Sequence, residues 1–330
     1  MWGRRAALSL LAALSLSACA GTAVRLPDVS LPELRSEAIT QETRAMAVQD
    51  AQAERLLRVA RPVLLANADL CPKTRPDIGV MIHSEENYPK ELRIAARREL
   101  GARMSPTVFK IAPGGPADSA GIKAGDTLYL DGEPATARVL GKALKDGLTT
   151  LSVEHKAQRR EVTLVPEAVC DSRLRLKPSP AINAFADGRT ITMTTGMMGF
   201  TRDDDELALI IGHELAHNTM GHIRKAVGNY ILSGFATRYT RPFESEADYV
   251  GLYYMVRAGF DPADVEDFWR RLAEVDPRSV NRAKTHPTFP DRYLRLAATR
   301  AEIEAKQIAG EPLVPNFKND DDADEDAPDA

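Results

Sequence analysis

Three residues near the middle of the chain, His213, Glu214 and His217, have the types and the spacing that metal-dependent hydrolysis needs. Residues four apart on an α-helix lie on one face about a turn apart, so both histidines can bind one ion. Zinc binds neutral imidazole nitrogens, and the adjacent glutamate can hold the attacking water. Because five matching letters also arise by chance, the surrounding residues must decide between a metal site and two surface histidines.

The surrounding stretch, residues 206–224, predicts a buried helix. Acidic residues at positions 203–206 fill the expected first turn, where the helix dipole favours anions. Apolar residues then recur at helical spacing, and they are Leu207, Ile210, Ile211 and Leu215. We therefore expect the histidines to lie on a buried helix, which favours a metal site.

Catalytic zinc usually has three protein ligands and a water, so two histidines leave one position to fill. A third histidine in phase with the motif would stand at Ile223, and His222 is one residue out of phase. We interpret His222 as a polar residue near the helix end.

Glu244 is the better third ligand. It begins a second predicted helix that ends at Gly259, and Pro262 is expected to open the next one. Asp248 lies four residues after Glu244 on the same face, so it can orient a ligand histidine. Glu246 is expected to point elsewhere.

A hairpin is predicted ahead of the metal helix, because Asp187-Gly188 separates two β-prone runs within residues 181–198. An edge strand at this place can align an extended substrate through main-chain hydrogen bonds. The alternative is a sheet edge that the neighbouring domain covers.

Several short motifs follow one another in a characteristic order. They are Asn183-Ala184-Phe185, HELAH at 213–217, ESEAD at 244–248, Thr285-His286-Pro287 and Asp291-Arg292. Together they resemble the zinc peptidases that include the CAAX prenyl endopeptidase, HtpX-like and BepA-like proteins. The resemblance implies a mainly helical, gluzincin-type α+β domain with a small sheet.

Residue by residue, the resemblance implies one zinc ion per chain on His213, His217 and Glu244. It implies Glu214 as the catalytic base and Asp248 as support. Asn183, Ala184 and Phe185 would contact substrate. His286 and Arg292 would stand near the oxyanion, or His286 would cap the metal at rest.

The run VFKIAPGGPADSAGIKAGDTLYLDG, residues 108–132, resembles a PDZ domain of the bacterial protease type. This resemblance implies an inserted, partly open β-barrel with helices, to which a peptide or a protein C-terminus would bind at a sheet edge. Ile78, Gly79 and Val80 would form its carboxylate-binding loop. The alternative is a PDZ-shaped spacer that shields the active site.

The N-terminus reads as a secretory signal, because Arg4 and Arg5 precede an apolar run too short to span a bilayer. Leu16-Ser17-Ala18-Cys19 resembles a bacterial lipobox. It implies a lipid on Cys19, which would attach the protein to the periplasmic face of the envelope, with sorting to the outer membrane. A plain signal peptide with an incidental cysteine is the alternative.

Cys71 and Cys170 then remain in a compartment that permits disulfides. If they pair, the bond joins the two ends of the inserted segment. The alternative is two buried free thiols.

The formal net charge of −4 comes from the tail, because residues 319–330 hold seven carboxylates and no basic residue. The remaining body is nearly neutral, which argues against nucleic-acid binding. The predicted organisation is a signal peptide (1–18), a tether (19–32), N-terminal peptidase helices (33–70), an inserted PDZ domain (71–170), the zinc peptidase domain (171–310) and an acidic disordered tail (311–330).

These features predict a lipid-anchored periplasmic zinc metalloendopeptidase. It would act on unfolded or envelope proteins in quality control, and its PDZ domain would bind or gate substrates. The alternative is a chaperone or adaptor lipoprotein whose PDZ domain binds envelope proteins and whose proteolysis is latent or minor.

Overall fold

The computed structural model describes residues 24, 26–225, 241–283 and 287–317. The helices in these ranges are α1 (Leu31–Ala66), α2 (Arg93–Leu100), α3 (Pro116–Ser119), α4 (Ala137–Lys145), α5 (Thr195–Phe200), α6 (Asp204–Thr219), α7 (Arg241–Arg257), α8 (Asp267–Val275) and α9 (Phe289–Ala309). Short 3-10 helices occupy Glu85–Asn87, Lys90–Leu92 and Pro277–Val280.

The described strands are short and all lie between α1 and α5. They are β1 (Thr74–Asp77), β2 (Val80–His83), β3 (Thr107–Ile111), β4 (Thr127–Leu130), β5 (Glu133–Pro134), β6 (Thr150–His155), β7 (Gln158–Thr163), β8 (Glu167–Cys170), β9 (Arg173–Lys177), β10 (Ala184–Ala186) and β11 (Thr190–Thr194).

The chain divides into two compact units, residues 1–40 and 41–330. Within the first unit, Ser30 caps the start of α1, since its hydroxyl accepts from the Glu33 N–H while the Glu33 carboxylate accepts from the Ser30 N–H. Among the described helices, none combines the length and the apolar composition that crossing a bilayer requires.

The second unit contains two main hydrophobic cores. One core joins the C-terminal half of α1 to β11 and to α5 through α9, with Leu56, Ile211 and Tyr253 fully buried. The other core lies within residues 78–164 and is built around Leu128 and Val153. The region that carries the metal-site residues and the region between the cysteines are therefore packed separately.

Two glycines let α6 and α7 cross in backbone contact. A Cβ on Gly212 would collide with the Gly251 carbonyl, and a Cβ on Gly251 would collide with the His213 backbone. Because neither residue has a side chain, the two helices approach closely enough to bring His213 and Asp248 within hydrogen-bond distance, 2.9 Å.

A three-stranded sheet lies beside these helices in the order β10-β11-β9. β10 and β11 form the predicted hairpin around Asp187-Gly188, in which Gly188 has φ 90° and the Asp187 carboxylate accepts from the Thr190 N–H. β9 pairs with β11 in parallel, a connection that the sequence analysis did not predict. β10 is left at the edge of this sheet.

Between the cysteines, the described strands form separate sheets rather than the partly open β-barrel that was expected. β2 pairs with β3, a four-stranded sheet has the order β5-β4-β6-β7, and β1 pairs with β8 where the segment enters and leaves. Cys71 and Cys170 are joined by a disulfide at this base, with Cα atoms 5.5 Å apart and a sequence separation of 99.

The side chain of Arg61 connects α1 to the base of this segment. Its guanidinium bonds the Asp77 carboxylate at 3.2 Å and also pairs with Glu167. It lies against Gly79 and Gly115, where an added Cβ would come within 3.1 and 3.4 Å of it. Arg61 therefore holds both ends of the segment against the helix.

Several predictions concern residues outside the described ranges. They are the signal peptide at 1–18, the lipidated Cys19, the metal-capping or oxyanion role of His286 and most of the acidic tail.

Candidate active site

Three predicted ligands converge at the crossing of α6 and α7. The Nε2 atoms of His213 and His217 lie 3.1 Å apart, and the Glu244 carboxylate lies 3.5 Å from the first and 3.6 Å from the second. All three residues are buried. Among the described residues they form the group that could hold a metal ion.

These distances fit a tetrahedral zinc ion. Ligand atoms about 2.0–2.1 Å from zinc, separated by the tetrahedral angle, lie about 3.3–3.4 Å apart. Burial alone would lower the pKa of His213, but hydrogen bonds with Asp248 and Glu244 outweigh burial and raise that pKa to about 10. The surroundings therefore favour positive charge at this point, which a divalent cation supplies.

His213 is held from behind by Asp248 and Arg292. Its Nδ1 lies 2.9 Å from the Asp248 carboxylate, and Arg292 donates to both oxygens of that carboxylate at 2.6 and 2.7 Å. The guanidinium also stacks on Trp269, 3.5 Å from the ring centroid. Burial alone would raise the pKa of Asp248, but Arg292 and His213 hold it below its ordinary value. Asp248 thus contacts His213 at the place from which the sequence analysis expected it to orient a metal ligand.

The other ligand histidine, His217, has a different neighbour. Its Nδ1 lies 3.0 Å from Nδ1 of His222, whose Nε2 lies 2.7 Å from the Glu246 carboxylate. Burial lowers the pKa of His222, which favours its neutral form. From the sequence, we interpret His222 as a polar residue near the helix end and expect Glu246 to point away from the face of Glu244 and Asp248. Glu246 is not part of the ligand cluster, but the chain turns after α6 and brings His222 to it, a contact that the sequence did not predict.

Glu214 lies on the open side of the cluster. With His213 it lines a cavity of about 310 Å³, whose other walls include Phe268, Trp269 and Leu272 of α8. Burial raises the pKa of Glu214 above its ordinary value, against the opposing effect of the neighbouring histidines. A carboxylate with a raised pKa is a better proton acceptor, which suits a general base.

Two of the three predicted substrate-binding residues line the cavity. Asn183 and Ala184 line it, at the start of edge strand β10. Phe185 points to the opposite face of the strand, because successive side chains alternate. Its ring lies 5.8 Å from the Lys177 ammonium and is 38% exposed.

The predicted peptide loop, Ile78 to Val80, lies at the base of the inserted segment. The Gly79 N–H donates to the Asp77 carboxylate at 2.9 Å, while the Gly79 carbonyl accepts from Ala112. Gly79 has φ 77°, a left-handed conformation that favours glycine. A peptide carboxylate binding to the Gly79 N–H would have to displace Asp77, whose charge Arg61 and Arg75 already balance, and the predicted role of Gly79 stays a prediction.

Two contacts at the site had no signal in the motif pattern. Trp269 lies in α8, and nothing in its neighbourhood predicts that its ring covers Arg292. His222 and Glu246 are 24 residues apart in sequence and meet only because α6 and α7 cross. The acidic residues of ESEAD, which are Glu244, Glu246 and Asp248, are the sequence signal that could have indicated several carboxylates near the histidines.

The region that contains the site is similar to known peptidases. Residues 172–233 and 226–300 match the model of Peptidase family M48. The mitochondrial metalloendopeptidase OMA1 of Schizosaccharomyces pombe is 24% identical over 173 residues, which cover 42% of this chain and 51% of the relative. The beta-barrel assembly-enhancing protease of Yersinia pestis is 26% identical over 227 residues, which cover 55% of this chain and 46% of the relative.

The protein of the same name from Escherichia coli (strain K12) is 27% identical over 158 residues, or 36% of this chain and 32% of the relative. The chain thus spans about half, or less, of the length of these curated relatives. The match to the family model across the histidine and glutamate cluster, together with the metalloendopeptidase relatives, supports a zinc metalloprotease, with the similarity to Peptidase family M48 lying in residues 172–300.

Proposed function

We propose that the chain is a zinc metalloendopeptidase that hydrolyses peptide bonds in unfolded or envelope proteins. The observation that carries this proposal is the convergence of His213, His217 and Glu244 beside Glu214 at one end of the cavity. Two imidazoles and one carboxylate leave a fourth position open, which is the arrangement of catalytic rather than structural zinc. We assign one zinc ion per chain to these ligands.

Bound there, zinc would polarise the substrate carbonyl and lower the pKa of a water molecule. The Glu214 carboxylate accepts the proton from the attacking water and returns it to the leaving amine. Asp248 holds the His213 ring with Nδ1–H toward its own carboxylate, so Nε2 keeps its lone pair for the metal. Burial of these groups keeps bulk water from competing for their protons.

We assign Arg292 to positioning rather than to the oxyanion. Its Nε and Nη2 atoms donate to Asp248, and its guanidinium face lies against Trp269. Both interactions hold Asp248 in the orientation that His213 needs. His286 remains our proposed oxyanion donor or resting cap, and it lies outside the described residues.

We propose that substrate binds as an extended strand along β10. This strand is paired on one side with β11, and Asn183 and Ala184 lie at the cavity wall. Edge strands offer free main-chain groups to an added strand. The Phe268, Trp269 and Leu272 wall favours an apolar substrate side chain next to the scissile bond.

A lipid on Cys19 would attach the enzyme to the periplasmic face of the outer membrane. The proposal depends on the lipobox-like sequence, because Cys19 lies outside the described residues. The name of the relative, beta-barrel assembly-enhancing protease, supports envelope proteins as substrates. Labelling cells with a radioactive fatty acid tests the anchor: the wild type should incorporate label and Cys19→Ser should not.

The segment between the cysteines is proposed to be a PDZ domain that binds or gates substrates. Support comes from a second cavity, of about 280 Å³, that Ile82 and His83 of β2 line together with Thr136 and Ala137 at the start of α4. β2 pairs with β3 on one side, so its other edge can receive a peptide strand. This groove is a better candidate than Gly79.

Cleavage of an unfolded protein tests the proposed activity. Purified protein should hydrolyse casein, lose that activity in a strong chelator and regain it when one equivalent of zinc is added. Persistence of full activity after the metal has been removed would contradict the proposal. Chelator-treated samples must be checked for retained helical signal, so that loss of activity is not loss of fold.

A further inference from the structure

His222 and Glu246 lie directly behind His217 and make contacts that the proposed mechanism does not use. His222 is 1% exposed and bridges the two residues, with 3.0 Å from its Nδ1 to Nδ1 of His217 and 2.7 Å from its Nε2 to the Glu246 carboxylate. We propose that His222 and Glu246 are positioning residues that hold His217 in the tautomer and orientation that binds metal. The inference rests on the proposed zinc site and deepens it.

The hydrogen-bond chain has one direction that satisfies every atom. A carboxylate can only accept, so the Glu246 contact requires Nε2 of His222 to donate. A neutral imidazole carries one N–H, which leaves Nδ1 of His222 as an acceptor. Nδ1 of His217 must then donate to it, and Nε2 of His217 keeps the lone pair that faces His213 and Glu244.

The other proposed ligand, His213, is held in the same way. Nδ1 of His213 donates to Asp248, which leaves Nε2 of His213 for the metal. Both ligand histidines are therefore held through Nδ1 and present Nε2 to one point. The difference is that a carboxylate acts directly on His213, whereas on His217 a second histidine stands between ligand and carboxylate.

The local sequence explains how His222 reaches this position. α6 ends at Thr219, and Gly221 follows with φ 68°, the left-handed conformation that commonly ends helices. The chain turns there and returns His222 toward the face that carries His217. Phe243 of α7 stacks on the His222 ring, with centroids 4.9 Å apart and planes at 19°, and fixes its orientation.

His222 is not a further ligand in this arrangement. It contacts the Nδ1 side of His217, whereas the metal-facing atom is Nε2. In the described part of the chain, the converging donor atoms come from His213, His217 and Glu244. His222 therefore acts through His217.

We call the hydrogen-bonded series His217, His222 and Glu246 the relay. The zinc affinity of the full chain tests the relay, because this measurement does not depend on activity. Three variants test its members separately. His222→Phe keeps the stack on Phe243 but removes the acceptor. His222→Asn restores an acceptor oxygen near the position of Nδ1, and Glu246→Ala removes the terminal carboxylate, whose side chain is 37% exposed.

Competition with a chromogenic chelator should give zinc affinities about 10- to 100-fold weaker for His222→Phe and Glu246→Ala, the usual effect of losing such a partner. His222→Asn should recover most of the loss. The cobalt-substituted proteins should show altered visible absorption for the first two variants. Tyr249→Phe, three residues from Glu246 on α7 and bonded instead to Glu302, is the matched control and should bind zinc like the wild type.

Wild-type zinc affinity in both His222→Phe and Glu246→Ala would overturn the relay. Equal weakening by His222→Asn and His222→Phe would also overturn it, because the acceptor atom would then be irrelevant. If His222→Phe does not fold, as judged by its melting temperature without metal, Glu246→Ala decides. A wild-type chain that binds zinc but cleaves nothing would contradict the proposed function and leave this test valid.

Discussion

The metal-site region and the segment between the cysteines differ in what their buried or partly buried charged side chains contact. Around the metal site, buried titratable side chains of α6 and α7 face one another and Arg292 of α9, and they are His213, Glu214, His217, Glu244 and Asp248. At the other segment, Arg61 of α1 instead pairs with Asp77 of β1, and the partly buried Lys110 of β3 pairs with Asp50 of α1. Removing a charge from the first region should therefore impair chemistry and stability together, whereas removal from the second should affect stability alone.

Asp248→Ala is expected to have the largest effect. It removes the partner of His213 and leaves the Arg292 guanidinium buried without its counter-charge. We expect zinc affinity to fall by about 10- to 100-fold and unfolding free energy to fall by about 3–5 kcal/mol. Chelator competition and urea unfolding of the metal-free protein measure the two effects.

The matched control is Asp291→Ala, which removes an exposed carboxylate bonded to exposed Arg295. Surface pairs of this kind are worth about 0–1 kcal/mol. If Asp248→Ala and Asp291→Ala behaved alike, buried charge at the metal site would not have the importance that we give it.

Replacing both Cys71 and Cys170 by serine should have the next largest effect, and only on stability. The bond links residues that are 99 apart in sequence, and losing such a disulfide commonly costs about 2–4 kcal/mol. Urea unfolding measures the loss, and zinc affinity should be unchanged. A large loss of zinc affinity would mean that the two regions are not separable in the way that their cores indicate.

Arg61→Ala should lower the unfolding free energy by about 2 kcal/mol, since it removes a largely buried partner of Asp77 while Glu167 is partly solvated. Hydrogen exchange should increase in residues 74–79 and remain unchanged in α6. Arg97→Ala, which loses only an exposed contact with Glu85, is the control. Increased exchange in α6 would contradict the separation of the two regions.

His83 should give the smallest effect, a pH dependence confined to the segment between the cysteines. Burial lowers the pKa of His83 to about 4, from an ordinary value of 6.5. Between these values the unfolded chain binds the proton that the folded chain excludes, so the contribution to stability is full above pH 6.5 and is lost as pH falls toward 4. We expect a loss of about 1–2 kcal/mol.

His83→Phe keeps the stack on Phe109 and removes this titration. Its unfolding free energy should decline less than that of the wild type between pH 7 and pH 4.5. Parallel curves for the two proteins would contradict the assignment.

Much of the site could be predicted because the signals are local. HELAH places two histidines on one helical face by spacing alone, and Glu244 and Asp248 follow the same rule on α7. The Asp187-Gly188 hairpin also formed as predicted, because its turn chemistry is contained in two residues. A sequence pattern contained in one helix or one hairpin therefore predicted where its residues lie on that helix or hairpin.

The remaining features depend on how elements meet. The parallel pairing of β9 with β11 joins two strands between which β10 lies in sequence, and no local pattern specifies this pairing. The helix after Pro262 begins later than predicted, at Asp267, because residues 263–266 form a turn first. The partner of Glu246 could not be predicted, because Gly221 redirects the chain only after α6 ends.

The central claim is that Glu214 is the base of a zinc peptidase, and one comparison tests it directly. Glu214→Gln and wild type should be purified with equal zinc content and assayed on the same unfolded protein. We predict that the variant keeps its zinc and cleaves about 10²- to 10⁴-fold more slowly, since the amide cannot accept the proton. Cleavage at the wild-type rate by zinc-loaded Glu214→Gln would contradict the account.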